Sequence, residues 1–414
     1  MALSFSVLRI RDFRLFLLTR LFGTMAMSGQ AVIVGWQVYS LTKDPFMLGL
    51  VGLAEAIPAI ICATFAGHLV DRSRPYLVFI SSVTIILLNM FILLLIAGGI
   101  IAVPNVIVWI FSGVFISGLA RSFLQPSGFV LQANIIPRAE MPAASSWLIS
   151  AFQIGAVSGP AIAGIIYGGY GARTAWVMIT LLMLAELFLV IAMSKETHRY
   201  HSGKKTETFL HSITEGWKFI LQNQVLLSVM TLDMFAVLFG GAVAMLPAYA
   251  DQVLHIGSEG LGALRAAPAF GAGLTALALA VWPMKNIRAT TLLWVVVGFG
   301  LCVIGFGIST IFWVSMVMLA LSGVFDSVSM VIRSTLMQLL IPDAMRGRVS
   351  SVNSMFIISS NEIGAFESGS AARLMGLIPS VIFGGIGTLV VVSLTALLSP
   401  KLRKTVVRAD ESRQ

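Results

Sequence analysis

Ten charged side chains lie inside long apolar stretches of this chain, and they are the residues best suited to chemistry. A charge inside the hydrocarbon layer of a membrane is costly, so such residues usually pair, bind a ligand or relay protons. Burial favours the neutral form of a carboxyl group, whereas a nearby arginine favours the ionised form. A carboxylate that is both buried and close to an arginine can therefore bind and release a proton. The ten are Arg20, Glu55, Arg121, Glu186, Asp233, Arg265, Asp326, Arg333, Glu362 and Glu367.

The composition places these charges in an integral membrane protein. Hydrophobic residues make up 57% of the 414 positions, charged residues make up 11%, and the mean hydropathy is +0.94. A soluble domain carries about 25% charged residues. A transmembrane helix needs about 20 apolar residues, and twelve such stretches are predicted. They cover residues 13–40, 47–70, 76–98, 104–136, 142–168, 172–193, 224–250, 258–282, 288–309, 312–340, 346–372 and 378–399.

The second half of the chain repeats the first. Residues 118–171 align without a gap with residues 323–376, and eleven positions are identical across the offset. Two similar halves related by an axis along the membrane normal are one architecture of membrane transporters, whose substrate site lies between the halves. The repeat therefore predicts such a duplicated protein. Its identical positions include Gly118/Gly323, Pro137/Pro342, Gly159/Gly364, Gly164/Gly369 and Gly171/Gly376.

The polar segments divide the chain and orient it. We predict an N-terminal six-helix half at residues 1–193, a cytoplasmic linker at 194–223 and a C-terminal half at 224–414. Lysine and arginine concentrate in every second connection, which places both termini in the cytoplasm. This bias, together with anionic lipid headgroups, accounts for the net charge of +9. Membrane lipid is thus an expected partner, and nucleic acid is not.

A short charged segment follows the second predicted span. Residues 67–75 read GHLVDRSRP, which resembles the signature loop of the major facilitator superfamily, Gly-x-Leu-Ala-Asp-Arg-x-Gly-Arg. Gly67, Leu69, Asp71 and Arg72 are in register, while Arg74 and Pro75 depart from the pattern. The resemblance implies a gating loop in which Gly67, Asp71 and Arg72 are the candidate gating residues. An ordinary charged turn is the alternative interpretation.

The fifth predicted span is similar to the antiporter motif of the same superfamily, Gly-x8-Gly-x3-Gly-Pro-x2-Gly-Gly. Gly155, Gly159, Pro160 and Gly164 match it, while Ser146 and Ala163 replace glycines. Small residues four positions apart let helices approach closely, and a proline introduces a kink point. The motif belongs to exporters in that superfamily, so the resemblance implies export. A general packing face is the alternative.

Further segments resemble the exporter branch that includes the bacterial enterobactin exporter and macrolide efflux proteins. They are residues 39–45, 118–126, 247–251 and 342–348. The resemblance implies an all-α membrane protein with twelve transmembrane helices in two pseudo-symmetric six-helix bundles. It also implies proton-coupled export of a small organic molecule, such as a drug or a siderophore, through the bacterial inner membrane. We expect a monomer without cofactors.

The charged residues of the spans are the candidates for proton coupling. The offset places Arg121 of span 4 opposite Asp326 of span 10, and we expect an ion pair between them. Asp326 and Arg333 are seven residues apart and share a helix face. For each charge, a static packing pair is the alternative. The coupling candidates are Arg121, Asp233, Asp326, Arg333 and Glu362; the predicted cavity residues are Gln30, Trp36, Gln37, Glu55, Tyr249, Arg265 and Glu367.

Motifs of other protein classes do not occur in the sequence. The five histidines form no His-Glu-x-x-His pair, and no Gly-x-Ser-x-Gly sequence is present. We therefore expect neither an enzyme nor a metal site, and we expect an ion gradient instead of ATP to drive the protein. Two alternatives stay open: a lipid or metabolite transporter without proton coupling, and a non-transporting receptor on the same scaffold.

Overall fold

The computed structural model describes residues 6–137, 140–193, 209–282, 286–342, 345–404 and 406–408. The described part consists of helices and short connections, together with two three-residue strands, β1 (Asn286–Arg288) and β2 (Val406–Arg408), which pair antiparallel. The helices are α1 (Arg11–Thr42), α2 (Pro45–Arg72), α3 (Pro75–Ala97), α4 (Val106–Ile135), α5 (Met141–Ile191), α6 (Phe209–Gln222), α7 (Gln224–Phe239), α8 (Leu246–Gln252), α9 (Gly257–Val281), α10 (Ala289–Ile308), α11 (Phe312–Leu340), α12 (Arg346–Met375), α13 (Leu377–Leu398) and α14 (Pro400–Lys404).

The described helices are long enough to cross a membrane many times. Ten stretches have the length and the hydropathy of membrane spans. One of them, Ala143–Ile191, has 49 residues, more than twice what a bilayer needs, and it breaks at Gly171. The 30-residue helix α12 falls outside the ten because it is more polar. With α5 counted as two segments and α12 included, the described helices match the twelve predicted spans, and the all-α membrane fold is confirmed.

The duplicated segments fold alike. α4 ends at Ile135 and α11 at Leu340, while α5 begins at Met141 and α12 at Arg346, so both pairs of ends keep the offset seen in the sequence. The chain then turns at a glycine in each copy. Gly171 has φ 80° and ψ 175°, and Gly376 has φ 92° and ψ 163°. This backbone conformation is essentially restricted to glycine.

The chain forms two compact units, and each includes a segment from the other side of the predicted linker. Unit 1 consists of Met1–Lys43, Leu53–Lys205 and Ala250–Ala266. Unit 2 consists of Asp44–Gly52, Thr206–Tyr249 and Ala267–Gln414. The predicted division at residues 194–223 stays a prediction, and residues 194–208 lie outside the described part.

Each unit has its own apolar interior. In unit 1, Trp176 of α5 is fully buried, as are Ile33 of α1 and Met90 of α3. In unit 2, helices α7, α10, α11, α13 and α14 bury a cluster of aliphatic side chains. Many apolar side chains outside these interiors are exposed, as expected for helices that face lipid. The unit 2 cluster includes Val229, Leu292, Ile332, Val392 and Leu402.

Helix α6, in the predicted linker, packs along the beginning of α12. Glu215 forms an ion pair with Arg348, and the ring centroids of Trp217 and Phe356 are 5.2 Å apart. Ile220 is fully buried in a cluster with Val349. The end of the linker is therefore a packed part of unit 2.

Candidate functional site

The first charged centre lies in unit 1, where Arg121 of α4 forms an ion pair with Glu55 of α2. Each side chain is 27% exposed. Gly118, one turn before Arg121, explains their proximity, because a Cβ added there would lie 2.5 Å from the backbone oxygen of Glu55. The glycine lets α4 and α2 touch backbone to backbone. Glu55 is one of the predicted cavity residues, and its pairing with Arg121 is not predicted by the sequence.

A polar network extends from this centre into the interior of unit 1. Nη2 of Arg121 lies 3.5 Å from Oε1 of Gln30, and Nε2 of Gln30 lies 3.3 Å from Oγ of Ser117. Nδ2 of Asn89 donates to that same Oγ at 2.9 Å. These three uncharged residues are buried. Asn89 and Ser117 are not among the predicted site residues. The available signal in the sequence is an amide side chain in the middle of the apolar helix α3.

The second charged centre lies in unit 2 around Arg333 of α11. Its guanidinium forms an ion pair with Asp233 of α7, and both side chains are almost completely buried, at 13% and 11% exposed. Nη2 of Arg333 also lies 3.8 Å from Oδ1 of Asp326, which lies on the same face of α11, seven residues earlier. The Asp326 side chain is 45% exposed. Arg333 therefore has one closely bound carboxylate and one looser carboxylate that is partly exposed.

The expected pair between Arg121 and Asp326 stays a prediction. In the structure Arg121 contacts Glu55 within unit 1, and Asp326 approaches Arg333 within unit 2. Both arginines nevertheless lie on equivalent helices of the repeat, α4 and α11. Each unit thus holds an arginine that contacts carboxylates from its own unit.

The glycines of the resembled antiporter motif are points of close helix contact. A Cβ at Gly159 would lie 2.5 Å from the carbonyl oxygen of Met25, and one at Gly155 would lie 2.9 Å from Cβ of Thr24. These two glycines therefore face α1. A Cβ at Gly164 would instead lie 2.7 Å from the Cα of Gly262 in α9. Close packing is shown at these positions, and a role of the motif in export stays a prediction.

Unit 2 repeats this arrangement with the duplicated glycines. A Cβ at Gly364 would lie 2.7 Å from the carbonyl oxygen of Leu238 in α7, and one at Gly369 would lie 2.8 Å from the Cα of Gly49 in α2. Both copies therefore have glycines at their points of close helix contact. Pro160, whose carbonyl oxygen faces Gly262, has no proline counterpart in α12 and distinguishes the two copies.

The predicted gating residues Gly67, Asp71 and Arg72 lie in the last turns of α2, which ends at Arg72. Only Ser73 and Arg74 separate this helix from α3. The segment is therefore mostly helical instead of a loop. The side chains at 67, 71 and 72 are outside the described part of the chain, so the gating role stays a prediction.

Several predicted cavity residues make packing contacts in this structure. Tyr249 is fully buried, and its hydroxyl donates to the carbonyl oxygen of Gly307 at 2.5 Å. Gln37 accepts a hydrogen bond from Nε1 of Trp176 at 3.1 Å, and the neighbouring Trp36 is half-buried. A substrate contact for these side chains stays a prediction.

The remaining predicted residues lie on α9 and α12. Arg265 is half-buried in α9. Glu362 and Glu367 are both half-buried on α12. A Cβ at Gly52 would lie 3.4 Å from Oε2 of Glu362, and Oε2 of Glu367 accepts from Ser368 at 3.3 Å. Glu362 thus lies where α12 meets α2.

One ion pair outside the spans was not anticipated. Lys43 follows α1 in a left-handed conformation with φ 53°, and its Nζ lies 2.8 Å from Oδ2 of Asp251. This hydrogen bond raises the pKa of Lys43. Because Asp251 belongs to α8, the contact joins the end of α1 to the segment that unit 1 takes from beyond the linker.

The sequence of residues 16–366 matches the family described as the Major Facilitator Superfamily. The chain belongs to this superfamily. The enterobactin exporter EntS of Citrobacter koseri is 23% identical over 414 residues, covering 97% of this chain and 95% of that protein. The protein of the same name from Shigella boydii serotype 4 is 24% identical with the same coverage.

Two solved structures of transporters have the same fold as this chain. A POT family transporter in complex with 5-aminolevulinic acid has a TM-score of 0.74 at 12% identity, covering 95% of this chain and 96% of that one. The peptide transporter POT in complex with sulfate has a TM-score of 0.72 at 13% identity, covering 97% and 99%. The chain is therefore a multi-pass membrane transporter of the major facilitator superfamily, in agreement with the sequence analysis.

Proposed function

We propose that this protein exports a small organic molecule from the cytoplasm across the bacterial inner membrane in exchange for protons, by alternating access. The observation that carries the proposal is the second charged centre, in which Arg333 has a closely bound carboxylate and a looser one. The glycine contacts of the antiporter motif and the relatives named enterobactin exporter support export. Both termini lie in the cytoplasm in this proposal.

The proton step takes place on Asp326. When its carboxylate is ionised, Arg333 faces two negative charges; when Asp326 binds a proton, Arg333 and Asp233 remain as a neutral pair. Because Asp233 is the closely bound partner, the arginine keeps its position in both states. The half-exposed Asp326 can take a proton from water on one side and release it on the other after the transporter changes conformation. Glu362 is the second choice for this role.

The proposed class of substrate follows from the names of the similar proteins. A siderophore-like or drug-like organic molecule is expected, because two proteins similar to this chain along nearly their whole length are named enterobactin exporter. The protein is proposed to act as a monomer with membrane lipid around it. No cofactor is required, since protons drive the exchange.

The Asp326→Asn protein tests proton coupling. We expect it to bind substrate but to lose stimulation of transport by a pH gradient, because the amide cannot exchange the proton. Purified protein in liposomes would be assayed for enterobactin flux and for proton flux separately, with erythromycin as a second substrate. Asp326→Glu, which retains a carboxyl group, is the matched control and should remain coupled. Undiminished pH dependence in the Asp326→Asn protein would show that Asp326 is not the coupling site.

The Asp71→Asn protein tests the gate. We expect normal insertion and folding with slower transport, because the change removes a charge from the end of α2, where the resemblance to the superfamily implies a gating segment. The initial rate of substrate flux in liposomes is the measurement. Ser73→Ala is the control, because it changes a neighbouring side chain two residues further along and keeps the acidic residue of the motif. A wild-type rate in the Asp71→Asn protein would remove the gating role.

A further inference from the structure

We propose that Asn89 is a positioning residue for Arg121 and acts on it through Ser117 and Gln30. This inference rests on the transport proposed above and on a part in it for Arg121, one of the coupling candidates predicted from the sequence. Asn89 lies on α3 and does not contact Arg121 itself. Its influence passes through two side chains from two other helices, α4 and α1.

The first link is between Asn89 and Ser117. The Asn89 side chain is buried, and its Nδ2 donates to the carbonyl oxygen of Gly113 and to Oγ of Ser117, both at 2.9 Å. A Cβ at Gly113 would lie 2.8 Å from Oδ1 of Asn89. The glycine therefore provides the space that lets the amide of α3 reach into α4. Two hydrogen bonds and this space fix the amide in one place.

The second link sets which end of Gln30 faces the arginine. A glutamine side chain has a donor end and an acceptor end of nearly the same shape. Nε2 of Gln30 points to the Ser117 oxygen at 3.3 Å, so Oε1 faces Nη2 of Arg121 at 3.5 Å. Without an acceptor at Ser117, the amide can turn and present its NH₂ group to the cation. Such a rotation would replace attraction by repulsion.

The arginine depends on these contacts for its direction. Its Nε atom has no hydrogen-bond partner among the described residues, so the Nη atoms carry its contacts with Glu55 and Gln30. The titratable groups that contact the network in the described part are Arg121 of α4 and Glu55 of α2. α1 and α3 contribute only amides. Moving Gln30 therefore changes how closely the guanidinium holds the Glu55 carboxylate.

Loss of Asn89 is expected to slow transport. When Gln30 turns, Arg121 loses the contact that directs its guanidinium towards Glu55. In the Asn89→Leu protein the maximal rate should fall by roughly tenfold at an unchanged KM, since loss of one hydrogen bond to a charged group corresponds to about a tenfold change. Ser117→Ala, which removes the bridging oxygen, should lower the rate in the same way.

The matched control is Ser82→Ala. Ser82 is buried on the same helix as Asn89, but its hydroxyl donates to the carbonyl oxygen of Val78 at 2.9 Å. Loss of this hydroxyl removes a buried polar group from α3 and leaves the network intact. Its maximal rate and KM should match the wild type. Ser117→Thr keeps the bridging hydroxyl and should also keep the wild-type rate.

The experiment measures the initial rate of enterobactin flux in liposomes over a range of substrate concentrations, which separates the maximal rate from KM, with erythromycin as a second probe. Wild-type rates in both Asn89→Leu and Ser117→Ala would overturn the inference, and so would an equal loss in Ser82→Ala. If Asn89→Leu fails to fold, Ser117→Ala decides alone. Arg121→Ala is the reference for the arginine itself. Wild-type transport in that protein refutes a role of Arg121 in transport, whereas its inactivity together with wild-type rates in Asn89→Leu and Ser117→Ala refutes only the positioning role.

Discussion

The Gly159→Leu protein is expected to insert into the membrane and to lose export. The new side chain would meet the carbonyl oxygen of Met25, which a Cβ alone would approach to 2.5 Å. Overpacking of this kind costs about 1–3 kcal/mol, and each 1.4 kcal/mol in a barrier changes a rate by about tenfold. We expect export to fall by more than about tenfold, because α5 can no longer slide closely along α1. Substrate flux in liposomes, corrected for the amount of inserted protein, measures this loss.

The control for this change lies on the same helix. A Cβ at Gly169 has no heavy atom within 4 Å, so Gly169→Leu adds the same side chain in open space and should export normally. Full activity in the Gly159→Leu protein would show that transport does not need close contact at this face. Loss of activity in both proteins would assign the effect to the helix itself instead of the contact with α1.

The Arg333→Leu protein is expected to lose both stability and transport. The change leaves Asp233 and Asp326 without their cation, and removal of one partner from a buried ion pair costs about 3–5 kcal/mol. Asp233→Leu should be milder, because Arg333 keeps Asp326 as a partner. The temperature at which half of the purified protein aggregates reports stability, and flux in liposomes reports transport.

A double replacement separates packing from transport. Replacing a buried pair by apolar residues is often neutral for stability, so Asp233→Leu with Arg333→Leu should regain much of the thermal stability of the wild type. Proton-coupled export should stay absent, because Asp326 has lost the arginine that responds to its charge. If the double variant exports with normal pH dependence, the pair serves only to pack α7 against α11.

The sequence predicted the fold well because membrane helices have few alternatives. Length and hydropathy define where a chain can cross the bilayer, and the repeat predicted that both copies would have helix ends at equivalent residues. Pro137 and Pro342 explain one such end, since proline lacks a backbone donor and a preceding residue avoids helical geometry. Ile136 and Ile341 indeed have nearly the same extended backbone.

The contacts of the charged residues were harder to predict. Periodicity shows which residues share a face of one helix, but it does not show which helices meet. Arg121 and Glu55 are 66 positions apart, and nothing in their spacing pairs them. The offset places Asp326 at the position equivalent to Arg121, but equivalence in a repeat does not by itself mean contact, and that pair stays a prediction. Asp326 and Arg333, which lie on one helix, were correctly placed on the same face.

The turns at Gly171 and Gly376 bear on the history of the chain. Each occupies a backbone conformation that is essentially restricted to glycine, and each directly joins two helical segments. A residue with a side chain would strain the turn in either copy, so the simplest account is that the glycine was present in a half-sized ancestor before the gene duplicated. Neither copy has since gained a residue between these helices. The difference at Pro160, which has no proline counterpart in α12, then arose later, within a frame that both halves inherited.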